Sequence, residues 1–167
     1  MSITPNPAPS VILPNETGKI IDLKDLRPNP IILFFYPRDN TSGCTREAKD
    51  FTENLKHFNN AKISVFGISK DSVESHDKFI KKQNLAISLL SDKDGNVCED
   101  FGVWKEKSMY GKTYMGIERS TFIIDGKGLI AKEWRKVKVA GHVNEVLEVI
   151  QSPVSYTHLT LPTKRIV

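Results

Sequence analysis

Cysteine is scarce in this chain: 167 residues hold two, Cys44 and Cys98, too few for a disulfide scaffold. No apolar run approaches the roughly 20 residues that cross a bilayer. The opening stretch Met1–Pro9 has neither the basic nor the apolar segment of a secretory signal, so a reducing, cytoplasmic setting with no membrane partner is expected. Excess charge is lacking too. The net charge is +4, and two of those positive charges, Lys164 and Arg165, sit in a tail that does not read as part of the domain. Lysines elsewhere interleave with acids instead of forming a stripe with aromatics, which argues against nucleic acid. His57, His76, His142 and His158 show no metal-ligand spacing, so no metal site is expected. Repeats and low-complexity segments are absent. What remains is 39% hydrophobic and 26% charged, a composition that suits one domain with a real core.

The apolar periods alternate between strand and helix, the α/β pattern. Ile31 to Tyr36 is a continuous apolar run, as a central strand covered on both faces would be. Residues 42 to 58 read as one helix with Ala48, Phe51, Leu55 and Phe58 along one face. Strands are expected at Ile63–Ile68 and Ile87–Leu90, a helix at Ser72–Gln83, and a short helix holding Cys98 after the turn Asp94-Gly95. Thr121–Ile124 and Leu129–Trp134 flank Asp125-Gly126-Lys127-Gly128, a hairpin signal, and Val139–Ile150 supplies a last helix. Phe101, Trp104, Tyr110 and Tyr114 are assigned to core and loop packing. Strand-helix-strand followed by hairpin-helix is the thioredoxin-like order: a central mixed β-sheet flanked by helices, over residues 1–151. Residues 152–167 lack any period and resemble vector-derived read-through, so they are taken as a non-native or disordered tail.

Cys44 stands where the first long strand gives way to a helix. The first helical turn leaves backbone N–H groups without partners and carries partial positive charge, so a sulfur there is favoured as thiolate, a nucleophile. The bland alternative is a small buried hydrophobe. Its neighbours decide between the two.

Pro37, Thr41 and Cys44, spaced Pro-x-x-x-Thr-x-x-Cys within Phe34-Phe35-Tyr36-Pro37-Arg38-Asp39-Asn40-Thr41-Ser42-Gly43-Cys44-Thr45-Arg46-Glu47-Ala48, resemble the peroxiredoxin active-site motif. The wider string is similar to the bacterioferritin comigratory protein class, the Q type. The likeness continues through Leu89–Asp92, Phe101–Trp104, Lys112–Tyr114 and Gly116–Asp125. It implies an antioxidant peroxidase that reduces hydrogen peroxide and organic hydroperoxides through a sulfenic acid at Cys44, with no metal, haem or flavin cofactor. Thr41 would hydrogen-bond thiolate and peroxide, Pro37 would shield the sulfur, and the N–H groups of Gly43 and Cys44 would face the bound oxygens. Arg119 matches the active-site arginine, whose planar cation stabilises thiolate and peroxide together. Glu47 matches a glutamate that orients that arginine.

One departure bears on mechanism. Many relatives carry a second cysteine five residues after the first, and here that residue is Lys49. Cys98 is then the remaining candidate for resolving the sulfenic acid. The favoured scheme is one-cysteine turnover, with thioredoxin, glutaredoxin or glutathione as external reductant and the chain a monomer or weak homodimer. Two rivals stand beside it. A disulfide oxidoreductase would want Cys-x-x-Cys, but position 47 is Glu. A non-catalytic, chaperone-like binding protein has no use for Pro37, Thr41, Cys44 and Arg119 together.

Overall fold

The computed structural model describes residues 6–151, so expectations for the tail at 152–167 lie outside the described residues. Ten strands and five α-helices follow in order. The strands are β1 (Asn6–Pro7), β2 (Ile12–Pro14), β3 (Ile20–Asp22), β4 (Ile31–Phe35), β5 (Ser64–Ser69), β6 (Ser88–Ser91), β7 (Trp104–Met109), β8 (Lys112–Ile117), β9 (Ser120–Ile124) and β10 (Leu129–Trp134). The helices are α1 (Ser42–Glu53), α2 (Leu55–Asn60), α3 (Val73–Gln83), α4 (Val97–Asp100) and α5 (His142–Gln151).

Six strands form one mixed sheet in the order β1-β10-β9-β4-β5-β6. β4 pairs parallel with β5 and antiparallel with β9, and β5 pairs parallel with β6. All five residues of β4 are buried, because both faces of the sheet are covered. The two-residue period of the strand divides them. Ile32 and Phe34, with Tyr36 beyond them, pack with Cys44, Ala48 and Phe51 of α1, Phe79 of α3 and Val143 and Val146 of α5. Ile31, Leu33 and Phe35 point the other way, into a second core with Val97 and Cys98 of α4, Phe101, Ile117 and Phe122. The sheet is therefore a partition between two apolar layers, and the two cysteines lie on opposite sides of it.

Local chemistry sets the ends of the helices. Ser72 caps α3 by accepting from the Ser75 N–H at 3.1 Å, and Asn84 ends it in the left-handed region at φ 55°. The helix expected from 42 to 58 divides at Asn54, which sits at φ −102°, ψ 5° and turns its side-chain amide onto the Asp50 carbonyl at 2.9 Å. The last helix starts at His142, later than Val139. Trp104 to Ile117, to which no element was assigned from the sequence, is a second hairpin, β7–β8, standing off the main sheet. Two of the aromatics assigned to packing are on it and face water: Tyr110 is exposed at its tip and Tyr114 along its flank. Phe101 is buried as expected.

Candidate active site

β4 makes its last sheet bond from the Tyr36 N–H to the Ile68 carbonyl at 3.1 Å. Pro37, half-buried, has no N–H to continue the ladder, and the chain turns outward. Asn40 takes the left-handed conformation at φ 62°, and Thr41 becomes the extended N-cap residue of α1. Cys44 is the third residue of that helix and only 1% exposed. Its burial follows from the spacing of the helix's inner face: Cys44, Glu47, Ala48 and Phe51 are the buried residues of α1.

Strand register brings Arg119 to the same place. β9 runs antiparallel to β4 with Ser120 opposite Phe35, so the residue before Ser120 lies where β4 ends and α1 begins. Arg119 Nη2 donates to Cys44 Sγ at 3.3 Å while Nη1 donates to Glu47 Oε1 at 2.7 Å. One fork thus spans the helix turn between Cys44 and Glu47. The Arg119 carbonyl is tied in turn by the Val137 N–H at 2.9 Å. Gly43 leaves room for this approach: a Cβ there would stand 3.3 Å from Arg119 Nη2 and 3.9 Å from Val139 Cγ2.

Burial pushes the Glu47 carboxyl up to about 7 despite the opposing pull of Arg119, and its Oε2 has no hydrogen-bond partner. For Arg119 burial works against the charge, but Glu47 and Cys44 outweigh it and hold the guanidinium above its ordinary value. Lys107 of β7, not singled out from the sequence among so many lysines, is a second cation in the field of this site. Its own burial and then the Arg119 charge push its ammonium down, and Cys44 pulls the other way. Thr41 is exposed, and its hydroxyl donates to the Arg38 carbonyl at 3.1 Å, not to the sulfur. A hydroxyl has one proton to give, so Thr41 Oγ1 is left as an acceptor.

Cys98 is placed apart from this group. It is fully buried on the far side of the sheet, and its N–H donates to Asp92 Oδ2 at 2.8 Å, beside Val97 N–H on Asp92 Oδ1 at 3.1 Å. Burial and then the Asp92 charge push the Cys98 thiol far above its ordinary value, the opposite of an activated sulfur. Sequence reading also missed a convergence: Asp39, Asp71 and His76 each bring a polar atom to within 4.8 Å of the others. Chain separations of more than thirty residues between Asp39 and the other two conceal it, and only the β5–α3 packing reveals it.

Residues 5–133 match the AhpC/TSA family. A putative peroxiredoxin bcp from Coxiella burnetii is 50% identical, covering 84% of this chain and 93% of the relative. Peroxiredoxin Bcp of Bacillus subtilis is 46% identical, covering 86% and 92%. Among solved structures, Xanthomonas campestris peroxiredoxin Q superposes with a TM-score of 0.81 at 42% identity, covering 90% of this chain and 92% of that one. Another, of the bacterioferritin comigratory protein from the same organism, is described by its alkyl peroxide reduction activity and gives a TM-score of 0.81 at 41% identity. Matches of this extent, to a fold whose first strand-to-helix junction holds a sulfur against a guanidinium, identify the chain as a member of the AhpC/TSA family, a thiol-dependent peroxidase of the peroxiredoxin Bcp class.

Proposed function

We propose that Cys44 is the sulfur that carries this peroxidase activity, with Arg119, Thr41 and the first N–H groups of α1 as its catalytic partners. The observation that supports the reading is the single guanidinium fork shared by Cys44 Sγ and Glu47 Oε1. In the first half-reaction the thiolate attacks one peroxide oxygen. The S–O bond forms with a sulfur electron pair as the O–O bond breaks, and the departing oxygen leaves as hydroxide or alkoxide and takes a proton from water. Arg119 supplies positive charge before and during the transfer, and costs no reorganisation because Glu47 already holds it. Thr41 Oγ1, with its proton committed to the Arg38 carbonyl, accepts the peroxide O–H and so selects one end of the O–O bond. Gly43 and Cys44 offer helix N–H groups to the oxygens, and Pro37 closes the loop over the entry.

The second half-reaction is assigned to an external thiol, a thioredoxin, a glutaredoxin or glutathione. Its sulfur attacks the sulfenic sulfur, water departs, and a further thiol releases Cys44 from the mixed disulfide. Two features support this over resolution by Cys98. The intact sheet stands between the two cysteines, and burial together with the Asp92 charge holds the Cys98 thiol far above its ordinary value. The substrates proposed are hydrogen peroxide and alkyl hydroperoxides, the latter in line with the activity described for the Xanthomonas campestris protein. A monomer or weak homodimer acting in the cytoplasm, with residues 1–151 as the working domain, completes the reading; no helix among the described residues is long and apolar enough to cross a membrane. Replacing Cys44 by serine tests it. Thiol-dependent peroxide consumption and labelling by a sulfenic-acid probe should both vanish, and retained consumption would move the nucleophile to another residue.

A further inference from the structure

Away from the thiol, a group of buried and half-buried polar side chains joins the loop between β4 and α1 to the start of α3. In the stretch Pro37–Thr41 only Asp39 is buried; Arg38, Asn40 and Thr41 face water. One side chain therefore stakes the loop to the body of the protein. Asp39 Oδ1 accepts the Tyr36 hydroxyl at 2.6 Å, and Oδ2 accepts the Ser75 hydroxyl at 2.8 Å. Burial, followed by the Asp39 charge, holds the Tyr36 phenol well above its ordinary value, so it stays a donor.

His76 completes the arrangement. Its ring is fully buried, with Nδ1 2.8 Å from Asp39 Oδ2 and Nε2 3.0 Å from the Leu90 carbonyl. A carbonyl only accepts, so Nε2 carries a proton, and a further proton must lie between Nδ1 and the carboxylate. Both ring nitrogens are thus engaged by protein groups, which makes the cluster a hydrogen-bonded clamp and not a vacant ligand set. Asp71 holds the other side of the loop: its Oδ2 accepts the Asp39 N–H at 2.7 Å and the Ser69 hydroxyl at 2.7 Å.

These bonds reach the reactive end of the loop through one rigid unit. The Asp39 N–H and the Arg38 carbonyl belong to the same planar peptide. Asp71 fixes that plane by its N–H, and the carbonyl at its other side receives the Thr41 hydroxyl proton at 3.1 Å. Rotation of the plane would redirect the Thr41 proton, and with it the lone pairs left for substrate. We propose that Asp39, Asp71 and His76 are positioning residues for peroxide reduction, setting the Arg38–Asp39 peptide plane and through it the direction in which Thr41 accepts the peroxide. This rests on the substrate contact assigned to Thr41 above.

The test compares Asp39→Ala, Asp39→Asn and Ser75→Ala with the unaltered protein by two rates: oxidation of Cys44 by hydrogen peroxide and its alkylation by iodoacetamide. Alkylation needs the thiolate but no aligned O–O bond, and the Arg119 fork is untouched in all three. Asp39→Ala should slow oxidation between about tenfold and about a hundredfold, the usual penalty for a misplaced reacting group, and leave alkylation unchanged. Asp39→Asn should recover most of the rate, because its amide can donate to a neutral His76 Nδ1 while Nε2 keeps the Leu90 carbonyl and the remaining oxygen keeps Tyr36. Should Asp39→Ala fail to fold, Ser75→Ala, which removes one of the donors to Asp39, must show the same split at smaller size. Oxidation at the unaltered rate, or equal slowing of both rates, overturns the proposal. A wild-type Cys44 inert to peroxide ends both this inference and the proposed function, whereas a reactive Cys44 indifferent to Asp39→Ala ends this one alone.

Discussion

Replacing Glu47 by glutamine should remove a fall in stability that the unaltered protein suffers as pH rises from 4.5 to about 7. Glu47 is fully buried, and its carboxyl is raised from an ordinary 4.5 to about 7 by burial, against the pull of Arg119. An acid with a raised folded pKa holds a proton that the unfolded chain has given up, so stability is greatest below the unfolded value and is lost as pH climbs through the folded one. A gap of this size, at 1.36 kcal/mol for each unit, amounts to about 3 kcal/mol spread over the window from 4.5 to about 7. Glutamine keeps an oxygen for Arg119 Nη1 and has no proton to lose, so its stability should stay level across the same window. Urea unfolding at about pH 5 and about pH 8 reads both proteins, and subtracting one from the other cancels the titrations they share. Curves that run parallel from acid to alkali would refute the argument, showing that the Glu47 carboxylate is not penalised by its burial.

Arg119→Ala removes a charge-assisted hydrogen bond to Cys44 Sγ, a type worth about 2 kcal/mol, so oxidation by peroxide measured by stopped-flow fluorescence should slow about thirtyfold; a change under about threefold would take Arg119 out of the chemistry. Cys98→Ser should leave turnover with glutathione or thioredoxin unaltered, and mass determination of the peroxide-treated wild type should find no disulfide; loss of turnover would return Cys98 to the cycle. Gly67→Ala should lower the unfolding free energy measured in urea by about 1–3 kcal/mol, because the new Cβ would lie 2.7 Å from Phe34 Cζ and 2.8 Å from Leu89 Cδ2 inside the core; an unchanged midpoint would mean that the layer against α1 has room to yield.

The parts of the fold that were legible in the sequence are those where local pattern and burial agree. Ile31–Phe35 is apolar throughout because both its faces are covered, and Asp125-Gly126-Lys127-Gly128 turns between the two strands it was expected to join. The β7–β8 hairpin was hidden because it packs little: Trp104–Met109 shows no alternation of apolar and polar residues, and most of it faces water. The division at Asn54 depends on a side chain competing for a helix carbonyl, a weak signal beside the continuous apolar face of Ala48, Phe51, Leu55 and Phe58. At the site, Cys44 could be reasoned from its place at a helix start, but Arg119 and Glu47 were reached only through the motif, since nothing local says that residues 72 and 75 positions apart share one fork. The clamp on Asp39 was missed for the same reason, its partners lying 36 and 37 positions away on α3.

The depth of the sulfur has a consequence for its two encounters. At 1% exposure Cys44 is nearly sealed from solvent, and in the proposed scheme it must be met first by a slender hydroperoxide and then by the sulfur of a larger external thiol. In that scheme reduction waits for the opening turn of α1 to loosen, a local excursion with its own free-energy cost. Solutes that favour compact states, such as trimethylamine oxide, will then delay regeneration while sparing the initial attack. The delay lengthens the time the sulfenic acid waits beside incoming oxidant, so stiffening this one turn trades durability of the protein against survival of its reactive atom.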